Sequence, residues 1–140
     1  MNDPATYYIE QWQHRLGLDD WLIKYNPRRK VSKTSLANNS HVVGLQVCEI
    51  GIQDGCPDRE IEGCVVHELL HLVIAQLENK ALAMAGLVAN EAVSIMLLDE
   101  THDIIENTVE DLTRALIGRK TMPFGKRMAK EFGTMVEGVA

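Results

Sequence analysis

The stretch from Pro57 to Glu78 constrains the fold more than any other part of the chain, because its apolar residues leave no polar face. Ile61, Cys64, Val65, Val66, Leu69, Leu70, Leu72, Val73, Ile74 and Leu77 go almost all the way round a helix. That pattern marks a helix enclosed by other elements rather than one lying on a surface. Pro57, followed by Asp58, Glu60 and Glu62, supplies the start, with acids at the positive end of the helix dipole. Periodicity carries the helix to about Glu78. Polar side chains inside such a helix need partners or chemistry, and HELLH places three of them together: His67, Glu68 and His71.

The rest of the chain has to enclose that helix. Its 140 residues are the size of one domain, so a single domain over 1–140 is expected, with the tail from about Arg119 weakly specified. Composition is globular, with 46% hydrophobic and 24% charged residues. The three cysteines, Cys48, Cys56 and Cys64, form no disulfide framework, and the N-terminal residues lack a basic-then-apolar leader pattern, so a cytoplasmic, reducing setting is expected. A net charge of −6 sets the overall field against nucleic acid and anionic lipid. The most membrane-like stretch, Ala81 to Leu98, is interrupted by Asn90, Glu91 and Ser94 and reads as buried helix. The basic run Arg28, Arg29, Lys30 and Lys33 reads as solvated loop.

Local patterns predict the elements on either side. Asp3 to Leu16 opens with a cap-like Asn-Asp-Pro and forms an N-terminal helix, and Trp21 to Tyr25 is a strand closed by the Asn26-Pro27 turn. Leu36-Ala37 begins a second strand. Val42 to Gln53 reads as one strand whose apolar parity switches near Cys48, which predicts a bulge. The Ala/Met-rich segment beyond Asn79 is partly helical. A last helix runs from about Thr101 to Ile117, stops at Gly118, and carries Ile105, Val109, Leu112 and Leu116 as its core stripe.

Residues four apart on a helix share a face, so His67 and His71 can direct both imidazoles at one metal ion while Glu68 stands beside a metal-bound water. Zinc hydrolases use this spacing because two neutral nitrogens and a third protein ligand leave one position open for water, whose proton the carboxylate takes. Leu77 stands where a third histidine would complete the extended metzincin pattern, so the third ligand lies elsewhere. Relative to the expected core stripe of the last helix, His102 lies roughly 50° away and Glu106 about 90°, while Glu110 and Asp103 lie roughly 130° to 150° away, facing water. On that geometry His102 and Glu106 both reach inward. Cys64, one turn before His67, has zinc-ligand spacing but reads as a small core residue.

HELLH followed by the E-x-x-V-x-x-L pattern of Glu106, Val109 and Leu112 resembles the minigluzincin group of HExxH zincin metallopeptidases, which includes small phage and mobile-element enzymes. The resemblance covers roughly Trp21 to Leu116. It implies an α+β, zincin-like fold: an N-terminal helix, a small, mostly antiparallel sheet packed on a buried HExxH helix, and a C-terminal helix carrying the third ligand. It implies Zn2+ on His67, His71 and Glu106, with Glu68 as general base for peptide-bond hydrolysis. His102 would then be available to steady the oxyanion. A peptide or protein substrate would lie extended along an edge strand, for which Val42 to Gln53 is the candidate.

Two other readings fit the same residues. The chain could bind metal as a regulatory or interaction module without turnover, although a site kept only for structure has no need of Glu68. It could also be a zinc hydrolase of a non-peptide substrate such as RNA, which the acidic balance disfavours. Control of proteolysis could come from a partner, from narrow substrate choice, or from Asn79 to Glu100 acting as a lid.

Overall fold

The computed structural model of the chain describes residues 3–118. The short helix expected beyond Arg119 lies outside the described residues. The fold is α+β, with four α-helices and one three-stranded mixed sheet in the order α1 (Pro4–Arg15), β1 (Leu22–Tyr25), β2 (Ala37–Val42), β3 (Val47–Ile52), α2 (Asp58–Val73), α3 (Ala75–Gly86) and α4 (Glu91–Ile117).

Each boundary has a local cause. The Asp3 carboxylate accepts the Ala5 N–H at 2.8 Å and Pro4 occupies the first turn, so α1 starts as the cap signal predicts and buries Ala5, Ile9 and Trp12. Asn90 caps α4 by accepting the Val93 N–H, and Gly118, at φ 68°, ends it. The long strand expected over Val42 to Gln53 is instead the end of β2, a single 3-10 turn at Val43–Leu45, and β3. Gln46 sits in the left-handed region at φ 51° and reverses the chain, so Val42 faces Val47 across a hairpin. The parity switch near Cys48 is therefore a turn and not a bulge.

The strand order is β1-β3-β2. Because β1 runs parallel to β3 and β2 antiparallel to it, the sheet is mixed rather than mostly antiparallel. β3 is central, which removes it as a substrate-pairing edge; among the described residues β2 is a free edge. The Gln53 N–H donates to the Leu36 carbonyl at 2.7 Å, so bonded pairs alternate from there. Residues 38, 40 and 42 hydrogen-bond to β3, while Ala37, Asn39 and His41 turn their main-chain N–H and C=O outward.

Core packing centres on α2, which touches α1, β2, β3, α3 and α4. Every residue from Gly63 to Leu72 is buried, as its all-round apolar pattern requires. Ile50, Val65, Val66, Leu69 and Val109 are almost wholly enclosed, each contributing about 1.5–3 kcal/mol relative to exposure. Arg29 does not lie in a solvated loop: it crosses the outer face of the sheet, donating to Asn38 Oδ1 at 2.8 Å and pairing with Glu49 at 3.3 Å. Only a glycine at position 51 leaves room for it, since a Cβ there would lie 2.9 Å from the Arg29 Cγ.

Three helix expectations are corrected: the stretch Ala81 to Leu98, read as buried, buries Ala85 alone. The HELLH helix ends at Val73 rather than near Glu78, breaking at Ile74 (φ −101°, ψ 8°) with no proline or glycine to announce it. The last helix begins ten residues earlier than expected, at Glu91, and α3 and α4 pack as a hairpin. Among the described residues, no helix is long and apolar enough to cross a membrane.

Candidate metal centre

α2 holds His67 and His71 on one face, with ring centroids 5.2 Å apart. α4 crosses that face and inserts Glu106 between them: one carboxylate oxygen lies 3.2 Å from His67 Nε2 and the other 3.0 Å from His71 Nε2. One donor atom from each of the three residues falls within 4.8 Å of the others. Side-chain exposure is 8% at His67 and 9% at His71 but 36% at Glu106, so the group opens to solvent on the carboxylate side.

The opposite ring nitrogens are held as well. Glu110 Oε2 lies 3.0 Å from His67 Nδ1, and Glu78 Oε2 lies 3.5 Å from His71 Nδ1. Carboxylates at Nδ1 favour the tautomer that presents Nε2 as a metal ligand, and such partners orient ligating histidines. The donor set of two imidazoles and a carboxylate suits zinc, and the fit is improved by these partners.

The electrostatics follow the same contacts. At His67, burial disfavours the charged ring, but hydrogen bonds to Glu106 and Glu110 outweigh it and raise its pKa from 6.5 to about 9. At His71, burial is again outweighed, here by Glu106 and Glu78, and the value rises to about 10. Burial would raise the Glu106 carboxyl, yet the two rings hold it well below the usual carboxylate range. Burial and then the Glu68 carboxylate push the Cys48 thiol up to about 12.

Glu68 is 5% exposed and lines the same cleft of about 730 Å3 as the two histidines and Glu106. The amide of Asn39, on β2, donates to Glu68 Oε2, and His41 Nδ1 lies 2.6 Å from Asn39 Oδ1. His102 lines the cleft but is exposed and stands outside the group of His67, His71 and Glu106. Cys64 is also outside that group, its Sγ 3.9 Å from that of Cys56. No residue between Asn79 and Glu100 lines the cleft, which gives a lid over that segment no support.

Glu110 corrects a sequence expectation. Placed on the water side of the helix, it is 4% exposed, whereas Leu112 and Leu116, expected in the core, are 41% and 45% exposed. The inward face of α4 runs through Glu106, Val109, Glu110 and Thr113, rotated by roughly 80° from the stripe expected through Ile105, Val109, Leu112 and Leu116. The chain matches no protein-family model, no curated protein and no solved structure.

Sequence reasoning also missed Glu78, Asn39 and His41. Glu78 was hidden because seven residues on a straight helix separate it from His71 by about 10 Å along the axis; the break at Ile74 closes that gap. Asn39 and His41 follow the strand start read at Leu36-Ala37, and β2 runs on through both of them. Their i, i+2 spacing was the signal available.

Proposed function

We propose that this chain is a zinc-dependent metallopeptidase of the HExxH type, zincin-like and resembling the minigluzincin group in its motifs. The convergence of His67 Nε2, His71 Nε2 and the Glu106 carboxylate at one point carries the reading. Glu68 in the same cleft and a free strand edge beside it give further support.

Zinc, when bound there, would polarise the scissile carbonyl and lower the pKa of water in its open position. Glu68 takes the proton of the attacking water and passes it to the departing amine. Its carboxylate is buried in the cleft, with the neutral Asn39 amide as a hydrogen-bond donor. A substrate peptide lies extended along β2, pairing with the outward main-chain groups of Ala37, Asn39 and His41. That edge takes the role the sequence reading gave to Val42 to Gln53.

Elemental analysis of protein purified without added metal tests the site, using wild type, Glu106→Ala, His102→Ala and Glu68→Gln. About one zinc per chain is expected, lost in Glu106→Ala and kept in the other two. Mass-spectrometric cleavage profiling on a peptide library then tests the reaction, which Glu68→Gln should abolish. Absence of zinc in reconstituted wild type would overturn the metal centre. Full zinc with no cleavage would instead favour a binding module.

A further inference from the structure

We infer that Asn39 and His41 form a hydrogen-bonded chain that fixes the orientation of the Glu68 carboxylate, with Asn39 as a positioning residue and His41 as its brace. The inference rests on the proposed role of Glu68 as general base.

The sheet register brings the three residues together. Asn39 stands opposite Ile50 and His41 opposite Cys48, and because Ile50 and Cys48 are buried, this parity of β2 faces α2. The two side chains therefore follow one another along the inner face of the edge strand, beside Glu68. The Asn39 Nδ2 donates to Glu68 Oε2, and Asn39 Oδ1 meets His41 Nδ1 at 2.6 Å. Only one amide orientation serves both contacts, since the flipped amide would set two acceptor oxygens against each other at Glu68. Oδ1 can only accept, so the proton of the His41 ring sits on Nδ1. Trp21 packs edge-to-face against that ring, with centroids 6.3 Å apart at 69°, and limits its rotation.

The chemistry of the contact suits a base better than an ion pair would. A buried carboxylate needs a donor, but a lysine or arginine there would hold the charge and resist protonation of the carboxylate. A neutral amide secures Oε2 and leaves Oε1 as the oxygen that takes the proton. His41 in turn keeps the amide from rotating, so the base is aimed before substrate arrives.

Two measurements test this. The first is the imidazole nitrogen NMR of His41 in the full chain, at a pH above its titration range, in wild type and Asn39→Ala. The Nδ1–H tautomer in wild type and its loss in the variant are expected; an Nε2–H tautomer in wild type, or no change in the variant, overturns the chain. The second is kinetics with zinc content measured alongside. Asn39→Ala should lower kcat roughly 10- to 100-fold with zinc and KM retained. His41→Ala should lower kcat less, and His41→Gln, whose amide can still donate to Asn39, should recover most of it. Unchanged kcat in Asn39→Ala overturns the positioning role. A wild type that holds zinc but cleaves no peptide removes the peptidase reading and with it the base to be aimed, while the tautomer still decides whether the hydrogen-bonded chain exists.

Discussion

Glu110 Oε2 lies 3.0 Å from His67 Nδ1 across 43 residues of sequence, both groups buried. A carboxylate in that place both orients the ring and raises its basicity as a ligand. Glu110→Gln should therefore weaken zinc binding roughly 10- to 100-fold while leaving the fold intact. Competition with a chromophoric chelator measures this, and unchanged affinity would remove Glu110 from the site.

Glu78 makes the equivalent contact to His71, but at 3.5 Å and from the helix beyond the Ile74 break. The longer distance predicts a smaller penalty for Glu78→Gln than for Glu110→Gln in the same chelator assay. Equal losses would mean that the two carboxylates share the load.

The metal-free chain should be pH-sensitive on its alkaline side. Both imidazoles have raised folded values, about 9 at His67 and about 10 at His71, against 6.5 for the unfolded ring. The native state binds these protons more tightly, so the stabilisation is complete below about 6.5 and is lost as pH rises through about 9 to 10. Glu106, held low by the same pairs, keeps its contribution above the ordinary carboxylate value of 4.5 and loses it progressively as pH falls below that. Urea midpoints of chelator-treated protein should fall between about pH 7 and pH 10. Since ligation requires neutral rings, zinc binding at neutral pH should release about two protons, measurable by calorimetry in buffers of different ionisation enthalpy.

On the outer face of the sheet, Gly51→Ala should destabilise the fold. The new Cβ would lie 2.9 Å from the Arg29 Cγ and push aside the contacts of Arg29 with Asn38 and Glu49. A loss of about 1–3 kcal/mol is expected from such overpacking. The double variant Arg29→Ala/Gly51→Ala should lose less than the sum of the single ones, because the clash disappears with the side chain. Thermal unfolding of the four proteins checks both statements.

What could be read from the sequence follows the strength of local signals. The enclosed HELLH helix, the Asp3 cap and the Gly118 stop are each written in adjacent residues. Glu106 was reachable because the resemblance named it, not because helix phase selected it over His102. Glu110 was lost to an assumption that leucines mark the core side. On α4 that fails because Val109 and Thr113 do the packing while Leu112 and Leu116 remain partly exposed. The hairpin at Gln46 and the break at Ile74 have no local breaker in their favour beyond a single Gly44. Those two features bring Asn39, His41 and Glu78 to the site.

The α3–α4 hairpin is tied to the rest of the fold chiefly at its base. α3 buries only Ala75 and Ala85, and the first residue of α4 to be buried is Val109. Such a segment opens by itself, at a lower free energy than global unfolding, and its amides should exchange with solvent as one cooperative unit. A metal ion shared by His67 and Glu106 would bridge 39 residues of chain and clasp the base of that unit. Occupancy of the centre would then be felt along the whole hairpin as slower hydrogen exchange, far from any atom the ion touches.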